Sequence, residues 1–568
     1  MTSDELAKAL DVSKAVVKRL ETGTIAPSQT MALALADVLQ IAVADSETNA
    51  QSIPFLHAAS NEELDERLRA DTTRTFSFGG QSYPIELPSY SINGPPDQRP
   101  FHEQLIAMQQ TDEIKAVWPK YRRRLSLVAV ADSESTAQSL LERPRAKSLS
   151  WNSNYGPHGW HRYVGRFPPH LVRALLNGLG ADSNSLVCDP FAGSGTTLVE
   201  CRLLGVPAVG IEISPLSALI ARTKAAFPCE TQAVRDVGAA LDEFFELDDM
   251  WSSRREVTHD EVFQRRGNLV ERFVNAERWL TAEALLGISI ATEFAATQEG
   301  YARDVLLLAL SARMRSIGNV DVDVVRAEYR REPRKDVDVH RILLRQIEKV
   351  AGSIAASVDS HEDLIGPSTS VSVQQGDARE AELEPASITH LITSPPYGVE
   401  SLSYLRTHLL SFRSLAPFLG QDPYEVGAGV IGSEYLDAGA EAFDFPRAER
   451  SKLYRRFFSE IDMVSLVNAD QRRTAMMMKF FDDMALMGAR FRQWLAPGGR
   501  LAFVIGNKKL KDRVIPTAEI VCELFAEEGL KLETSMRHKL KTNNSNSVVP
   551  WQERIISEEY VLIFRNEG

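Results

Sequence analysis

Short apolar runs alternate with helical periodicity over most of the chain after about residue 151. The first two runs are SLVCDP (185–190) and PAVGIEI (207–213), and between them lie a Gly-rich turn and a helix that begins at LVECRLLG (198–205). A strand, a tight turn, a helix and a second strand predict a βαβ unit of a parallel, doubly wound sheet. Five further runs bring the predicted strands to seven: VSVQQGD (371–377), ITHLITS (388–394), GRLAFVIG (499–506), LKLETSM (530–536) and EEYVLIFR (558–565). We therefore expect an α/β fold, with the helix PTAEIVCELFAEEG (516–529) between the fifth and sixth strands.

Two long stretches with helical periodicity interrupt this sheet. The first covers 229–365 and the second 403–480. The Met-rich run TAMMMKFFDDMALM (474–487) lies where the second stretch rejoins the sheet. Its apolar residues recur at helical spacing, which predicts core packing rather than an adaptable binding face.

The N-terminal residues 1–45 predict a small all-α domain with two helices joined by a short turn. Val16, Val17 and Leu20 form the inward face of the second helix. The stretch resembles the phage-repressor type of helix-turn-helix, and that resemblance implies that the helix from Ser13 to about Glu21 enters the major groove of DNA. A dimerisation or protein-docking module on the same scaffold is the alternative. Residues 46–150 are partly Pro-rich and predict a linker or accessory segment.

Composition narrows the class of protein without deciding it. The chain has 568 residues, 44% of them hydrophobic and 25% charged, which indicates a globular protein of several domains. We expect a cytoplasmic location, with no membrane span and no secretory signal. The four cysteines show no metal-ligand spacing, so we expect no metal. The net charge of −13 means that any contact with DNA depends on local basic stretches such as NKKLKDR (507–513).

Chemically informative residues follow four of the predicted strands. In DPFAGSGTT (189–197), Gly193 and Gly195 allow the backbone to approach a ligand closely. Glu212 ends the second strand and can accept hydrogen bonds from both hydroxyls of a ribose, and Asp377 after the third can accept from an amine such as adenine N6. SPPY (394–397) follows the fourth strand. Because ligands bind beyond the carboxyl ends of parallel strands, we expect one nucleoside-containing cofactor and one reacting group at this edge.

These motifs together resemble the S-adenosylmethionine-dependent amino methyltransferases of DNA, which modify N4 of cytosine or N6 of adenine. DPFAGSGTT, GIE, GDA and TSPPYG carry the resemblance over roughly 155–228 and 366–568, and HRYVGRFPPHLVRALL (161–176) resembles the segment that closes over the methionine end of the cofactor. The resemblance implies a seven-stranded class I methyltransferase sheet of Rossmann-like form, in a core made of 151–228 and 366–568, with S-adenosyl-L-methionine as cofactor and double-stranded DNA as partner. The cofactor contacts that it implies are Phe167, Pro168, Asp189, Phe191, Gly193, Gly195, Thr197, Glu212 and Asp377.

The chemistry of SPPY agrees with methylation of an amine. The exocyclic amine of a base is a poor nucleophile because its lone pair is delocalised into the ring. The Ser394 hydroxyl and the Pro395 carbonyl can accept hydrogen bonds from its two N–H groups and so favour a pyramidal nitrogen. Pro395 and Pro396 stiffen the loop, so these acceptors are preorganised, and the Tyr397 ring offers a stacking surface for a base flipped out of the duplex.

Several alternatives remain open at the level of the sequence. Ser394 before Pro-Pro-Tyr favours N4 of cytosine, with N6 of adenine as the alternative. An RNA amino methyltransferase and a transcription regulator that senses S-adenosylmethionine are rival functions. Either 403–480, which we prefer, or 229–365 could read the target, and any restriction endonuclease would be a separate chain. The Pro-Cys pair at Cys229 lies too early for the nucleophile of a cytosine C5 enzyme, and packing is the expected role of His158 and His161.

Overall fold

The structure is a computed structural model that describes residues 74–78, 81–85, 101–109, 154–228, 231–321, 328–330, 332, 334, 336–360, 369–398, 402–433, 445–459, 461, 468–510, 513–539 and 558–568. The predicted helix-turn-helix at 1–45 lies outside these residues. The described strands are β1 (Arg74–Phe78), β2 (Gln81–Ile85), β3 (Val187–Asp189), β4 (Ala208–Glu212), β5 (Val371–Gln375), β6 (Ile388–Thr393), β7 (Leu495–Gly506), β8 (Lys509–Leu510), β9 (Arg513–Val514), β10 (Leu530–Lys539) and β11 (Glu558–Asn566).

The described α-helices fall into a set around the sheet and two inserted sets. Around the sheet lie α1 (Phe101–Gln109), α2 (Pro169–Leu179), α3 (Thr196–Leu204), α4 (Pro215–Ala225), α16 (Asn468–Trp494) and α17 (Thr517–Glu527). The first insert contains α5 (Gln232–Glu246), α6 (Asp249–Ser252), α7 (His259–Arg266), α8 (Ala276–Trp279), α9 (Ala282–Thr297), α10 (Gly300–Ile317) and α11 (Val339–Ser360). The second contains α12 (Leu402–Ser414), α13 (Ala416–Leu419), α14 (Pro423–Gly429) and α15 (Lys452–Ser459). Both predicted inserts are therefore largely helical where the structure describes them.

All seven predicted strands pair in one sheet, in the spatial order β5-β4-β3-β6-β7-β11-β10. The pairs from β5 to β7 are parallel, and β11 runs antiparallel to both β7 and β10. The chain leaves β3 towards β4 on one side and β6 towards β7 on the other, so the topological switch point lies between β3 and β6. This confirms the predicted fold class of a seven-stranded class I methyltransferase sheet with helical inserts.

Local sequence explains how the elements around the switch point begin and end. β3 is buried at every residue, as expected for a central strand covered on both faces. The turn after β4 starts α4 directly, because the Ser214 hydroxyl accepts a hydrogen bond from the Ser217 amide and Pro215 stands at the first helical position. Short connections of this kind keep the residues at the strand ends in fixed positions.

The Met-rich helix α16 packs into the interior, as the sequence predicted. Met476, Met477, Met484 and Met487 are each at most 2% exposed. The side chains of α16 pack against α17, and the aromatic rings of Phe491 and Phe525 meet edge to face 5.7 Å apart. None of the described helices is long and apolar enough to span a membrane.

The chain divides into two compact units, the larger covering 95–510, 514–540 and 556–568. The smaller unit contains the antiparallel hairpin of β1 and β2. In the larger unit, α1 packs on α2: Leu105 is buried in the core, and the Asn177 side-chain amide donates to Gln109 Oε1 at 3.3 Å. The segment 46–150, for which we predicted a linker or accessory role, therefore contributes a packed helix next to the sheet.

Candidate active site

Asp189, the last residue of β3, connects the two central strands to the helix that follows the glycine loop. Its buried carboxylate accepts hydrogen bonds from Thr197 Oγ1 of α3 and Thr393 Oγ1 of β6, both at 2.6 Å. The Phe191 amide donates a third at 3.1 Å. Burial raises the pKa of Asp189 to about 6, and these three hydrogen bonds oppose the rise. Because Thr393 precedes Ser394, this carboxylate fixes the start of SPPY relative to the glycine loop.

The glycine loop contains two residues in the left-handed region, with φ of +53° at Gly193 and +78° at Gly195. A β-carbon at Gly195 would lie 2.8 Å from the Cα atom of Ala221, so this glycine permits close packing of the loop against α4. A β-carbon at Gly193 would have the Tyr163 ring as its nearest neighbour, 3.8 Å away, which is ordinary contact distance. The two predicted cofactor glycines thus differ in their surroundings, because a β-carbon would collide with the neighbouring helix at Gly195 and would make ordinary contacts at Gly193.

The glycine loop also retains hydrogen-bonding capacity for a ligand. Ser194 Oγ and Thr196 Oγ1 are buried and have no hydrogen-bond partner within the described part of the chain. Buried hydroxyls normally have partners, so such atoms at a strand end fit a polar ligand such as S-adenosylmethionine. The predicted contacts Asp189 and Thr197 bond to each other instead, and their part in cofactor binding stays a prediction.

Glu212, at the end of β4, reaches across to the glycine loop. Its Oε2 accepts from the Gly193 amide at 2.7 Å, and its Oε1 accepts from the Ser214 amide at 2.8 Å. Each oxygen keeps a second lone pair, which is what two ribose hydroxyls require. Burial raises the pKa of Glu212 to about 7, although the two backbone hydrogen bonds lower it. Glu212 therefore lies at the end of β4 beside the glycine loop, and its contact with a ribose stays a prediction.

The segment before α2 lies beside the glycine loop. Phe167 is half-buried against the core, and Pro168 is exposed, with its carbonyl accepting from the first amides of α2. Tyr163, which sequence reasoning did not select, has its hydroxyl 3.0 Å from Ser217 Oγ of α4. Its ring stacks on His408 of α12, with ring centroids 5.1 Å apart. This part of the predicted cofactor site is thus in contact with the second insert.

Asp377, which follows β5, is engaged by a neighbouring arginine. Arg379 donates to its carboxylate from the backbone amide at 2.9 Å and from the guanidinium at 2.6–3.1 Å. The same guanidinium donates to Asp483 of α16 at 2.9 Å and to the Gly429 carbonyl of α14 at 2.5 Å. The partner that the sequence predicted for Asp377, an amine such as adenine N6, would share this carboxylate with Arg379, so that role stays a prediction.

SPPY begins where β6 ends, beside the first residues of β11. Ser394 Oγ donates to Tyr397 Oη at 3.1 Å, and Tyr397 Oη donates to Glu559 Oε1 at 3.2 Å. Pro395 is buried, whereas Ser394, Pro396 and Tyr397 are partly exposed at the sheet edge. Sequence reasoning did not select Glu559. The signal that could have found it is the strand direction, because the first residues of an antiparallel strand lie at the same edge of the sheet as the carboxyl ends of its neighbours.

The two histidines near the cofactor segment pack inside the protein. His158 Nε2 lies 2.7 Å from Glu200 Oε1, and Glu200 also accepts from Arg173 and from the Tyr155 hydroxyl. Burial lowers the pKa of His158 to about 4 although Glu200 opposes this. His161 Nε2 lies 2.9 Å from the Ser311 hydroxyl, which links the segment to α10 of the first insert. These contacts agree with a packing role rather than with catalytic bases.

Comparison with known protein families gives two matches. Residues 73–222, which include β3, the glycine loop and β4, match the DNA methylase family, and residues 1–45 match the helix-turn-helix family. A longer alignment joins the chain to Type II methyltransferase M.MvaI of Kocuria varians, with 21% identity over 442 residues, 74% of this chain and 93% of that protein. The chain is thus similar to the DNA methylase family over residues 73–222 and to M.MvaI over most of its length.

Two further relatives align with this chain over short segments. Type II methyltransferase M.MjaII of Methanocaldococcus jannaschii is 46% identical over 67 residues, 12% of both chains. Type II methyltransferase M.BsoBI of Geobacillus stearothermophilus is 39% identical over 70 residues, 12% of this chain and 14% of its own. The aligned segments thus span about one eighth of these two relatives. The match at 1–45 confirms the predicted family of the N-terminal segment.

Proposed function

We propose that this protein transfers the methyl group of S-adenosyl-L-methionine to the exocyclic amine of a base in double-stranded DNA, and that N4 of cytosine is the preferred acceptor. The observation that carries the proposal is the Asp189 link. Through Thr197 and Thr393, one buried carboxylate holds the glycine loop and the start of SPPY at neighbouring strand ends. A donor site and an acceptor site at one edge are what direct methyl transfer requires, because proximity and orientation supply much of the rate.

The donor half would be formed by the glycine loop and Glu212. When bound, S-adenosylmethionine supplies an electrophilic methyl group on sulfur. Glu212 would accept the ribose hydroxyls through the lone pairs that Gly193 and Ser214 leave unused. Phe167, Pro168 and Phe191 would cover the cofactor, and Asp377 would accept from its adenine amine. The domain boundaries at 151–228 and 366–568 belong to the same proposal.

The acceptor half would be SPPY. Ser394 Oγ and the Pro395 carbonyl would accept hydrogen bonds from the two N–H groups of the amine, so that the nitrogen lone pair turns towards the methyl group. The prolines hold these acceptors in place before the base arrives, which avoids reorganisation during the reaction. Tyr397 would stack on the base, which must leave the duplex to reach this edge.

The identity of the base rests on Ser394. In the amino methyltransferases that the chain resembles, Ser before Pro-Pro-Tyr favours cytosine N4 and Asp favours adenine N6. The DNA methylase family covers both, so adenine N6 is the alternative acceptor. Its test is the identity of the methylated nucleoside.

Target reading would belong to the second insert, 403–480, and the biological setting would be restriction and modification. The insert follows Tyr397 directly, and its helices α12 and α14 contact Tyr163 and Arg379 beside the predicted cofactor site. The relatives are named Type II methyltransferases. A separate endonuclease partner and a cytoplasmic location complete the proposal.

Nucleoside analysis after incubation with labelled S-adenosylmethionine tests the proposal. Duplex DNA and RNA are offered in parallel, and the products are digested and separated by mass spectrometry. We expect label in DNA as N4-methylcytosine, and Ser394→Ala should reduce transfer by about 10²-fold or more, since a preorganised polar group at the reacting atom is removed.

The other outcomes separate the alternatives. N6-methyladenine in DNA would replace the base assignment and keep the enzyme class. Label confined to RNA would support an RNA amino methyltransferase. Cofactor binding without transfer to either nucleic acid, with Ser394→Ala indistinguishable from the unaltered protein, would support a regulator that senses S-adenosylmethionine.

A further inference from the structure

Glu559 lies at the reaction edge although no motif marks it. β11 is antiparallel to β7, and Glu559 pairs in register with Gly506, the last residue of β7. The start of β11 therefore lies beside the carboxyl ends of β6 and β7, where SPPY begins. Glu559 is partly buried there, and its Oε1 lies 3.2 Å from Tyr397 Oη.

The direction of the hydrogen bonds in this chain follows from the inventory of donors and acceptors. An ionised carboxylate has acceptors alone, so the Tyr397 hydroxyl must donate to Glu559. A hydroxyl has one hydrogen, so Tyr397 Oη can take part in the bond with Ser394 only as an acceptor. Ser394 must then donate its hydrogen to Tyr397, across 3.1 Å.

This direction fixes what Ser394 presents to a substrate. Because the Ser394 hydroxyl donates its hydrogen to Tyr397, the Ser394 oxygen keeps a lone pair that can accept a hydrogen bond from an N–H group. In the opposite orientation the hydroxyl would point its hydrogen at the amine and oppose the approach of an N–H donor. We infer that Glu559 is a positioning residue that orients the Ser394 and Tyr397 hydroxyls, so that Ser394 acts as an acceptor for the exocyclic amine of the target base. The inference rests on the proposed amine methylation and deepens it.

Glu559→Gln is the central variant, because it keeps the size and shape of the side chain. The glutamine amide can donate to Tyr397 Oη, which frees the Tyr397 hydrogen for Ser394 and the Ser394 hydrogen for the substrate site. We expect the single-turnover rate of methyl transfer to fall about tenfold or more, and the dissociation constants for S-adenosylmethionine and DNA to stay within about twofold.

Two comparisons separate positioning from packing. Glu559→Asp keeps an acceptor-only group on a shorter side chain, so it should retain more activity than Glu559→Gln; a packing role predicts the reverse order. Tyr397→Phe removes the connecting hydroxyl and keeps the ring, so Glu559→Gln should cause no further loss in that background. Glu567→Gln is the matched control, since Glu567 pairs with Lys531 just beyond the other end of β11, and it should behave like the unaltered protein.

Each result has one meaning for the inference. A rate for Glu559→Gln within twofold of the unaltered protein, or full additivity with Tyr397→Phe, would overturn it and leave the proposed methylation intact. If the unaltered protein methylates neither DNA nor RNA, the proposed function fails and the positioning role fails with it. Melting temperatures of all variants are measured alongside, and an unchanged melting temperature with a lowered rate supports positioning.

Discussion

At the scale of single residues, the glycine loop lies between the partly buried carboxylate of Glu212 and the buried amine of Lys224, which both titrate near neutral pH. The Gly193 amide donates to Glu212, and the Ser194 carbonyl accepts from the buried amine of Lys224 at 3.0 Å. Burial raises the pKa of Glu212 to about 7 and lowers that of Lys224 to about 7. The charge on both sides of the loop therefore changes within the physiological range, with different consequences for binding and for stability.

Glu212 predicts a pH dependence of cofactor binding. Ribose hydroxyls that donate to the carboxylate favour its ionised form, so the bound state has the lower pKa. Affinity for S-adenosylmethionine should then rise with pH and level off above about 7, and below 7 it should fall by up to about tenfold per pH unit. Titration calorimetry at pH 6, 7 and 8 measures this.

Glu212→Gln is the control for that prediction. The ligand's own groups titrate in the same way with both proteins, so the difference between the two pH profiles isolates Glu212. The variant should bind more weakly at pH 8 and show a flatter profile. Parallel profiles for the two proteins would remove Glu212 from the ribose site.

Lys224 predicts a pH dependence of stability. Its pKa is about 7 in the folded protein, against 10.5 as the ordinary value, so between these values the unfolded chain binds a proton that the folded one does not. The free energy of unfolding should therefore rise with pH over this window. Lys224→Met should remove this pH dependence. It should also raise the free energy of unfolding at pH 7 by roughly 1–3 kcal/mol, a figure that includes the loss of the hydrogen bond to Ser194. Urea unfolding at pH 7, 8 and 9.5 measures the free energy of unfolding of the unaltered protein and of Lys224→Met. If this free energy rises equally steeply with pH in the two proteins, the prediction for Lys224 is wrong.

At the scale of elements, we expect the two glycines of the loop after β3 to have different roles, one in the stability of the fold and the other in binding. Gly195→Ala places a methyl group 2.8 Å from the Cα atom of Ala221 at a φ of +78°, so the loop and α4 must move apart. Gly193→Ala makes ordinary contacts at 3.8 Å or more and carries a strain of about 1 kcal/mol at a φ of +53°. We expect Gly195→Ala to lower the melting temperature by several degrees more than Gly193→Ala.

Binding should show the opposite order. Gly193→Ala should weaken the affinity for S-adenosylmethionine more than it lowers stability, because the new methyl group lies beside Tyr163, in the segment predicted to close over the methionine end of the cofactor. The pair serves as its own control, since each variant adds one methyl group to the same loop. If both variants lose stability equally and bind the cofactor equally, the two glycines do not have separate roles.

The strands were predictable because they are apolar runs bounded by Gly, Pro or charged residues, or alternate apolar and polar residues as β5 does. The sites at the ends of β3, β4, β5 and β6 followed from the rule for parallel sheets. Glu559 was missed because its position depends on the direction of β11, which its own residues do not encode. Arg379 and Tyr163 were missed because their roles depend on contacts with α14, α16 and α12, which are distant in sequence.

At the scale of the whole molecule, the net charge of −13 must be reconciled with the proposed DNA substrate. Acidic surface repels the phosphate backbone, so contact with DNA depends on local clusters of Lys and Arg. The segment that matches the helix-turn-helix family offers one such cluster. In the predicted helix from Ser13 to about Glu21, Lys14 and Lys18 are four residues apart, so they would share a face.

Lys14→Gln combined with Lys18→Gln in the full chain tests whether this segment contacts DNA. If it does, the dissociation constant for duplex DNA should rise, and the slope of its logarithm against the logarithm of salt concentration should fall by about one for each phosphate that the segment no longer neutralises. Affinity for S-adenosylmethionine should stay unchanged, because Glu212 and the glycine loop are untouched. Lys531→Gln with Arg565→Gln is the control, since it removes the same charge at exposed positions of β10 and β11. Unchanged DNA affinity with an altered sedimentation mass would show that the segment serves dimerisation or docking instead.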